Sequence, residues 1–289
     1  MSHMRQNKRL IYSSVPLSAI AAQSMHQADQ TPPVHHFTAA DGTRLAYYEC
    51  GSGRPLLLIH GYFTTAFKNW IRPGHAAAIA ARGYRVIMPD LRGHGLSERP
   101  HDASAYPPDV LTDDALALIA HLGLEDYDLA GYSLGGRTAL RAVARGAMPK
   151  RLVVAGQGLD SIVTPSQRRT AGFFHRVLTE PGTFEPDSKE ARAERFLKKI
   201  NGDPVALLQV AQVSVPTPAE RLAQIAIPTL VLIGDEDPRP ARDLAAAIPN
   251  AQYEEIPGNH TTVVTKRERL GSAIADFLDA APLPGKDQR

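Results

Sequence analysis

The sequence predicts an α/β protein: a mostly parallel sheet with helices on both faces. Three observations predict it. Short apolar runs bounded by turn residues alternate with stretches of helical pattern from about residue 34 onward. The runs are almost continuously apolar, as strands buried on both faces must be. The intervals between them are long enough to hold the helical crossovers that parallel neighbours require.

The elements follow in order. RLAYYEC (44–50) has strand composition, and PLLLIH (55–60) and YRVIMPD (84–90) are apolar runs closed by polar or turn residues. AAAIAARG (76–83) lies between the last two as a helix ending at glycine. DVLTDDALALIAHLG (109–123) leads into the run YDLAGYS (127–133), and LGGRTALRAVARG (134–146) leads into RLVVAGQG (151–158). After a long interval come PTLVLIGDED (228–237), the helical ARDLAAAI (241–248), the run AQYEEIP (251–257) and the helical RERLGSAIADFLDA (267–280). The interval 158–227 breaks the rhythm with RRTAGFFHRVLTE, ARAERFLKKI and PVALLQVAQV, three helical stretches with apolar stripes. It has too few apolar residues for a core of its own, so it reads as a cap over the sheet. The expected division is a core of 34–157 and 228–283, a helical cap of 158–227, and a flexible extension of 1–33.

Composition narrows the function classes. The 289 residues are 43% apolar and 21% charged, enough for one large domain with a substantial core. Thirty-two basic and 30 acidic residues are spread along the chain, and no basic block is interleaved with aromatics, so nucleic acid is not an expected partner. The single cysteine, Cys50, excludes an intrachain disulfide, and no spaced His/Cys cluster offers a metal site. No run approaches the ~20 apolar residues of a membrane span. Near the start, a basic segment precedes a weakly apolar stretch and Ala19-Ile20-Ala21, which resembles a signal cleavage site, but Ser13, Ser14, Pro16 and Ser18 interrupt the run. A cytoplasmic location is expected, or a secreted or periplasmic one if that segment is a signal peptide.

The most specific motif is LAGYSLGGR (129–137), a GxSxG centred on Ser133 between an apolar strand and a helix. That context turns a common pattern into a nucleophile elbow: a sharp, strained turn lifts the hydroxyl above the sheet edge, and Gly131 and Gly135 flank it where side chains would collide. The helix beyond aims its N-terminus at the place where an oxyanion forms. A serine hydroxyl needs a base. Of eleven histidines, His260 in IPGNHTTVV follows the last strand and precedes the last helix, so its loop opens at the same carboxyl edge as Ser133. A carboxylate must then orient the imidazole, and LIGDEDPRP offers Asp235, Glu236 and Asp237.

With these motifs in order from about 40 to 280, the chain resembles the cap-bearing α/β-hydrolases, in the branch of serine esterases and haloperoxidases. The resemblance implies an eight-stranded, mostly parallel sheet with the cap inserted after the sixth strand. The family's GxxD maps onto Gly234 and Asp237 and so favours Asp237 as the acid. A minority arrangement takes the acid from the preceding strand, which makes Asp160 in GQGLD the alternative. LLLIHGYF matches the family's oxyanion strand, which implies that the backbone N–H groups of Tyr62 and Leu134 form the oxyanion hole. MPDLRGHGLSERP matches the segment in which Arg92, His94 and Ser97 shape a turn. The histidine segment departs from the family's frequent GxGH, here reading GNH.

Epoxide hydrolases and haloalkane dehalogenases of the same fold carry aspartate at the elbow; serine implies acyl transfer instead. The expected reaction is therefore hydrolysis of a carboxylic ester through an acyl-enzyme, on a small-molecule acyl substrate and with no cofactor or metal implied. The same triad also serves lactonases, cofactor-free perhydrolases of the haloperoxidase type and C–C bond hydrolases, and the fold also serves as a ligand receptor that has lost its chemistry. Phe63, Phe67, Trp70, Phe173 and Phe174 are the candidates for lining an apolar acyl pocket.

Overall fold

Eight strands form one sheet in the order β1-β2-β4-β3-β5-β6-β7-β8. They are β1 (Val34–Thr38), β2 (Arg44–Cys50), β3 (Arg54–Ile59), β4 (Tyr84–Pro89), β5 (Asp128–Tyr132), β6 (Leu152–Ala155), β7 (Thr229–Gly234) and β8 (Ala251–Ile256). β1 and β2 run antiparallel to their neighbours, and the other six strands are parallel. The computed structural model describes residues 31–164, 167–265 and 269–280, leaving out the side chains of 167–171. The signal-like segment and all but the last three residues of the expected extension lie outside the described residues.

The helices are α1 (His75–Ala80), α2 (Val110–His121), α3 (Leu134–Ala144), α4 (Leu159–Val163), α5 (Gln167–Thr179), α6 (Lys189–Lys199), α7 (Pro204–Val210), α8 (Ala219–Leu222), α9 (Ala241–Ala246), α10 (Thr262–Thr265) and α11 (Arg269–Asp279). Among the described residues, no helix is long and apolar enough to cross a membrane.

The strand periodicity of two decides how the layers assemble. Along β3, Leu57 and Ile59 face the cluster that holds Leu118, Leu140 and Leu244 of α2, α3 and α9. Leu56 and Leu58 face the opposite cluster, with Ile79 of α1 and Leu270, Ile274 and Leu278 of α11. All four β3 residues are fully buried, each contributing about 1.5–3 kcal/mol of transfer free energy.

Between β6 and β7 run α4 to α8. Phe63, in the loop after β3, packs with Val177 and Leu178 of α5, Leu197 of α6 and Leu207 of α7. These helices start where the sequence caps them: Asp203 accepts from the amides of Val205 (3.0 Å) and Ala206 (3.1 Å), and Pro204 takes the first helical position. β1 was not separable as a strand in the sequence, because of its five residues only Phe37 is buried. Several predicted runs are longer than their strands. RLVVAGQG stops at Ala155, since Gly156 turns with φ 66°.

Candidate active site

Ser133 stands between β5 and α3 at φ 54° and ψ −116°. A side chain pays for such angles, and the surroundings enforce them. A Cβ on Gly131 would lie 2.2 Å from the Gly135 carbonyl oxygen, and one on Gly135 would lie 2.2 Å from the oxygen of Ile59. Strand and helix can therefore approach this closely only with glycine at both positions. Gly136 is tight as well, its Cβ position 2.9 Å from the Ala155 oxygen. The Ser133 amide donates to Ala155 (2.8 Å), and its carbonyl accepts from the Arg137 amide (3.0 Å) and from Gln157 Nε2 (2.5 Å).

The loops after β7 and β8 bring the other two groups. The amides of Asp235 and Glu236 donate to the carbonyls of Ile256 and Gly258, and the Gly258 amide donates to Asp235 Oδ1 (2.8 Å), so the two loops are laced together. Asp235 thus acts as a turn residue. His260 Nε2 lies 3.0 Å from Ser133 Oγ, and His260 Nδ1 lies 2.8 Å from Asp237 Oδ2. Asp160 is not part of this arrangement: it is exposed in the first turn of α4 and accepts from the Ser161 amide.

Arg239 also enters the cluster. Its Nη1 lies 2.7 Å from each carboxylate oxygen of Asp237 and 2.7 Å from His260 Nδ1. A guanidinium only donates, so the ring nitrogen and the carboxylate compete for it. The network assigns the Nδ1–H to Asp237, which leaves Nε2 to accept from the serine hydroxyl and Arg239 to donate to the carboxylate. Burial pushes the Asp237 carboxyl up, but the His260 hydrogen bond, the Arg239 charge and the His260 charge outweigh it and hold the group below its ordinary value. Tyr132 adds support: its hydroxyl donates to the His260 carbonyl (2.5 Å) and its ring lies 5.2 Å from the imidazole.

The loop after β3 passes against the serine. A Cβ on Gly61 would lie 3.3 Å from Ser133 Cβ, and the Gly61 amide is held by Asn69 Oδ1 at 3.1 Å. Phe63 follows with φ 61°, a second strained residue beside Ser133. The backbone amides of Tyr62 and Leu134 donate to no protein group among the described residues. The Tyr62 hydroxyl donates to the Leu207 carbonyl of α7 at 2.8 Å.

The five aromatic pocket candidates divide. Phe63, Phe173 and Phe174 cluster with Tyr62 where the insertion meets the β3 loop, with Phe63 and Phe174 centroids 4.8 Å apart. Phe67 and Trp70 pack instead against the α1 and α11 layer, and Trp70 is fully buried there. Core packing accounts for these two. The DLRGHGLS turn is held from within: Arg92 pairs with Asp114 (2.8 Å) and Asp41, and Ser97 Oγ donates to the Asp90 carbonyl (2.5 Å). His94 is pushed down to about 4 by burial and stays neutral.

Arg239, Tyr132 and Gln157 carry no signal of their own within DEDPRP, GYS and GQG, and only the fold shows that their side chains reach Asp237, His260 and the Ser133 carbonyl.

The alpha/beta hydrolase fold family matches residues 54–153. The chain is 27% identical over 278 residues to a non-heme haloperoxidase of Rhodococcus erythropolis, covering 84% of this chain and 98% of that protein. It is 29% identical over 289 residues to the 2-hydroxymuconate semialdehyde hydrolase of Pseudomonas sp. (strain CF600), covering 89% and 98%. Its structure resembles that of a thermophilic esterase from Thermogutta terrifontis solved with malate bound, at TM-score 0.66 and 27% identity, covering 85% and 98%. The eight-stranded, mostly parallel sheet flanked by helices is the α/β-hydrolase fold. The family match, the relatives and the solved structure together support an α/β-hydrolase superfamily member.

Proposed function

We propose that the protein is a serine hydrolase of carboxylic esters that works through an acyl-enzyme. The observation that carries this reading is the continuous hydrogen-bond chain from Ser133 Oγ through His260 to Asp237. Ser133 Oγ attacks the ester carbonyl while His260 Nε2 takes its proton, and Asp237 accepts from Nδ1–H and stabilises the imidazolium. The charge that develops on the carbonyl oxygen is met by the amides of Tyr62 and Leu134, the latter at the positive end of α3. The imidazolium then protonates the leaving alkoxide. Water, deprotonated by His260, attacks the acyl-serine, and the acid departs as Ser133 regains its proton.

The helices of 158–227 act as a cap in this reading, closing the acyl side with Phe63, Phe173 and Phe174. The elbow serine supports acyl transfer over the alkyl chemistry that an elbow aspartate performs, and the likeness to the Thermogutta esterase supports an ester as substrate. The test is pre-steady-state hydrolysis of a short-chain 4-nitrophenyl ester. A burst of nitrophenolate is expected from the wild type and none from Ser133→Ala; turnover that survives the substitution would sink the proposal.

A further inference from the structure

The loop after β3 carries Tyr62, whose backbone N–H meets the oxyanion in the mechanism proposed above. It passes directly against the nucleophile, with the Cβ position of Gly61 3.3 Å from Ser133 Cβ. The core holds one side of this loop. His60 is fully buried, and burial keeps its imidazole neutral. Its Nε2 accepts from the Leu91 amide at 2.9 Å, so Nδ1 carries the hydrogen and donates to the Gly61 carbonyl at 2.7 Å. The Gly61 amide in turn donates to Asn69 Oδ1 at 3.1 Å. The Gly61–Tyr62 peptide is trans, so its C=O and N–H point to opposite sides, and a carbonyl held toward His60 turns the Tyr62 N–H away from it.

The inserted helices hold the other side. The Tyr62 hydroxyl donates to the Leu207 carbonyl of α7 at 2.8 Å, and the Tyr62 ring meets Phe174 of α5 edge-on with centroids 5.1 Å apart. Phe63 stands at φ 61°, in left-handed backbone that a bulky residue rarely adopts. Its buried side chain packs among Val177, Leu178, Leu197 and Leu207, all of the insertion. Strain of this kind persists only where the surroundings over-determine it, and for the Phe63 ring those surroundings belong to 158–227. Two consecutive residues are thus fastened by their side chains to the insertion, while their backbone lies beside the serine.

We infer that the inserted helices position the oxyanion hole: the Tyr62 hydroxyl and the Phe63 ring are positioning groups that hold the Tyr62 amide in place. The inference rests on Ser133 being the nucleophile of an ester hydrolase. An amide fixed in advance costs no reorganisation as charge develops on the carbonyl oxygen, whereas a loosened one must be ordered in the transition state. Misplacement by about 1 Å is enough to cost on the order of 100-fold in rate. Loosening either anchor therefore lowers kcat and leaves ground-state binding, and with it KM, nearly unchanged.

The test uses Tyr62→Phe, which removes only the hydroxyl, and Leu197→Ala, which empties part of the Phe63 socket from α6 and leaves every residue of the loop in place. Each is assayed with 4-nitrophenyl acetate, for inhibition by a trifluoromethyl ketone whose serine adduct carries the oxyanion, and for amide hydrogen exchange in peptides spanning residues 60–66. Both variants are expected to lose about 10-fold in kcat with KM within about 2-fold, and the ketone is expected to weaken by the same factor as kcat/KM. Exchange in 60–66 is expected to quicken in both. A kcat unchanged in both variants, a loss confined to KM, or exchange unchanged in both overturns the inference. If the wild type neither cleaves the ester nor binds the ketone, the esterase reading fails and exchange alone decides whether the insertion holds the loop. Faster exchange in 60–66 in both variants then supports that hold, and any other result overturns it.

Discussion

The guanidinium of Arg239 lies 2.7 Å from both carboxylate oxygens of Asp237, on the carboxylate that also holds His260. It is one of the interactions that overcome burial and keep Asp237 ionised. With Arg239→Gln, burial is less opposed and the carboxyl rises toward or past its ordinary value. A group with a depressed pKa keeps its charge until the pH falls through that lowered value, so the variant loses its carboxylate at higher pH than the wild type. The acidic limb of kcat/KM against pH should therefore move upward in R239Q. An unmoved limb would show that the arginine does not tune the acid.

Asp237 and Asp160 make opposite predictions. Asp237→Asn leaves the imidazole without its acceptor and favours the wrong tautomer, at a cost of about 10⁴-fold in kcat. Asp160→Asn should leave kcat within about 2-fold, because Asp160 only accepts from its own helix turn. Steady-state kinetics of both variants separates the assignments, and the reverse pattern would move the acid to α4.

Gly135→Ala is expected to destabilise the fold. The new methyl would stand 2.2 Å from the Ile59 oxygen and 2.5 Å from that of His60, and both are backbone atoms that cannot turn aside. Overpacking of this kind costs about 1–3 kcal/mol or more. Gly172→Ala on α5 meets nothing within 4 Å and should be neutral or stabilising by about 0.5–1 kcal/mol. Urea unfolding of the two variants checks the contrast.

Asp128 should impose a pH dependence on stability. Its side chain is buried, Arg54 Nη2 reaches Oδ1 at 2.9 Å and Oδ2 has no partner. Burial pushes its pKa up to about 6, against about 3.9 in an unfolded chain. Between these values the folded state binds more protons than the unfolded one, so stability falls as pH rises from about 4 to about 6. Asp128→Asn removes this term. The stability of wild type relative to D128N should decline across that window and level off above it, as read by urea midpoints; a difference constant with pH would contradict the assignment.

The sequence by itself determined the layers and the order of their parts. Period-two and near-continuous apolar runs identify strands because burial on the sheet faces leaves few alternatives. GxSxG between strand and helix identifies Ser133 because its glycines answer a local steric demand, and His260 follows from its place after the last strand. β1 escaped this reading, since a mostly exposed edge strand carries little apolar signal. Only the tertiary structure decided what depends on distant chain segments meeting. It brought Asp237 to His260 and left Asp160 on the outside of α4, and it sent Trp70 to the far face of the sheet while Phe63 went to the insertion. It also set Arg239 on Asp237. Such pairings arise from contacts between side chains that separate loops bring together, 127 residues apart for His260 and Ser133 and 23 for His260 and Asp237, and local sequence pattern carries no record of which side chains those contacts join.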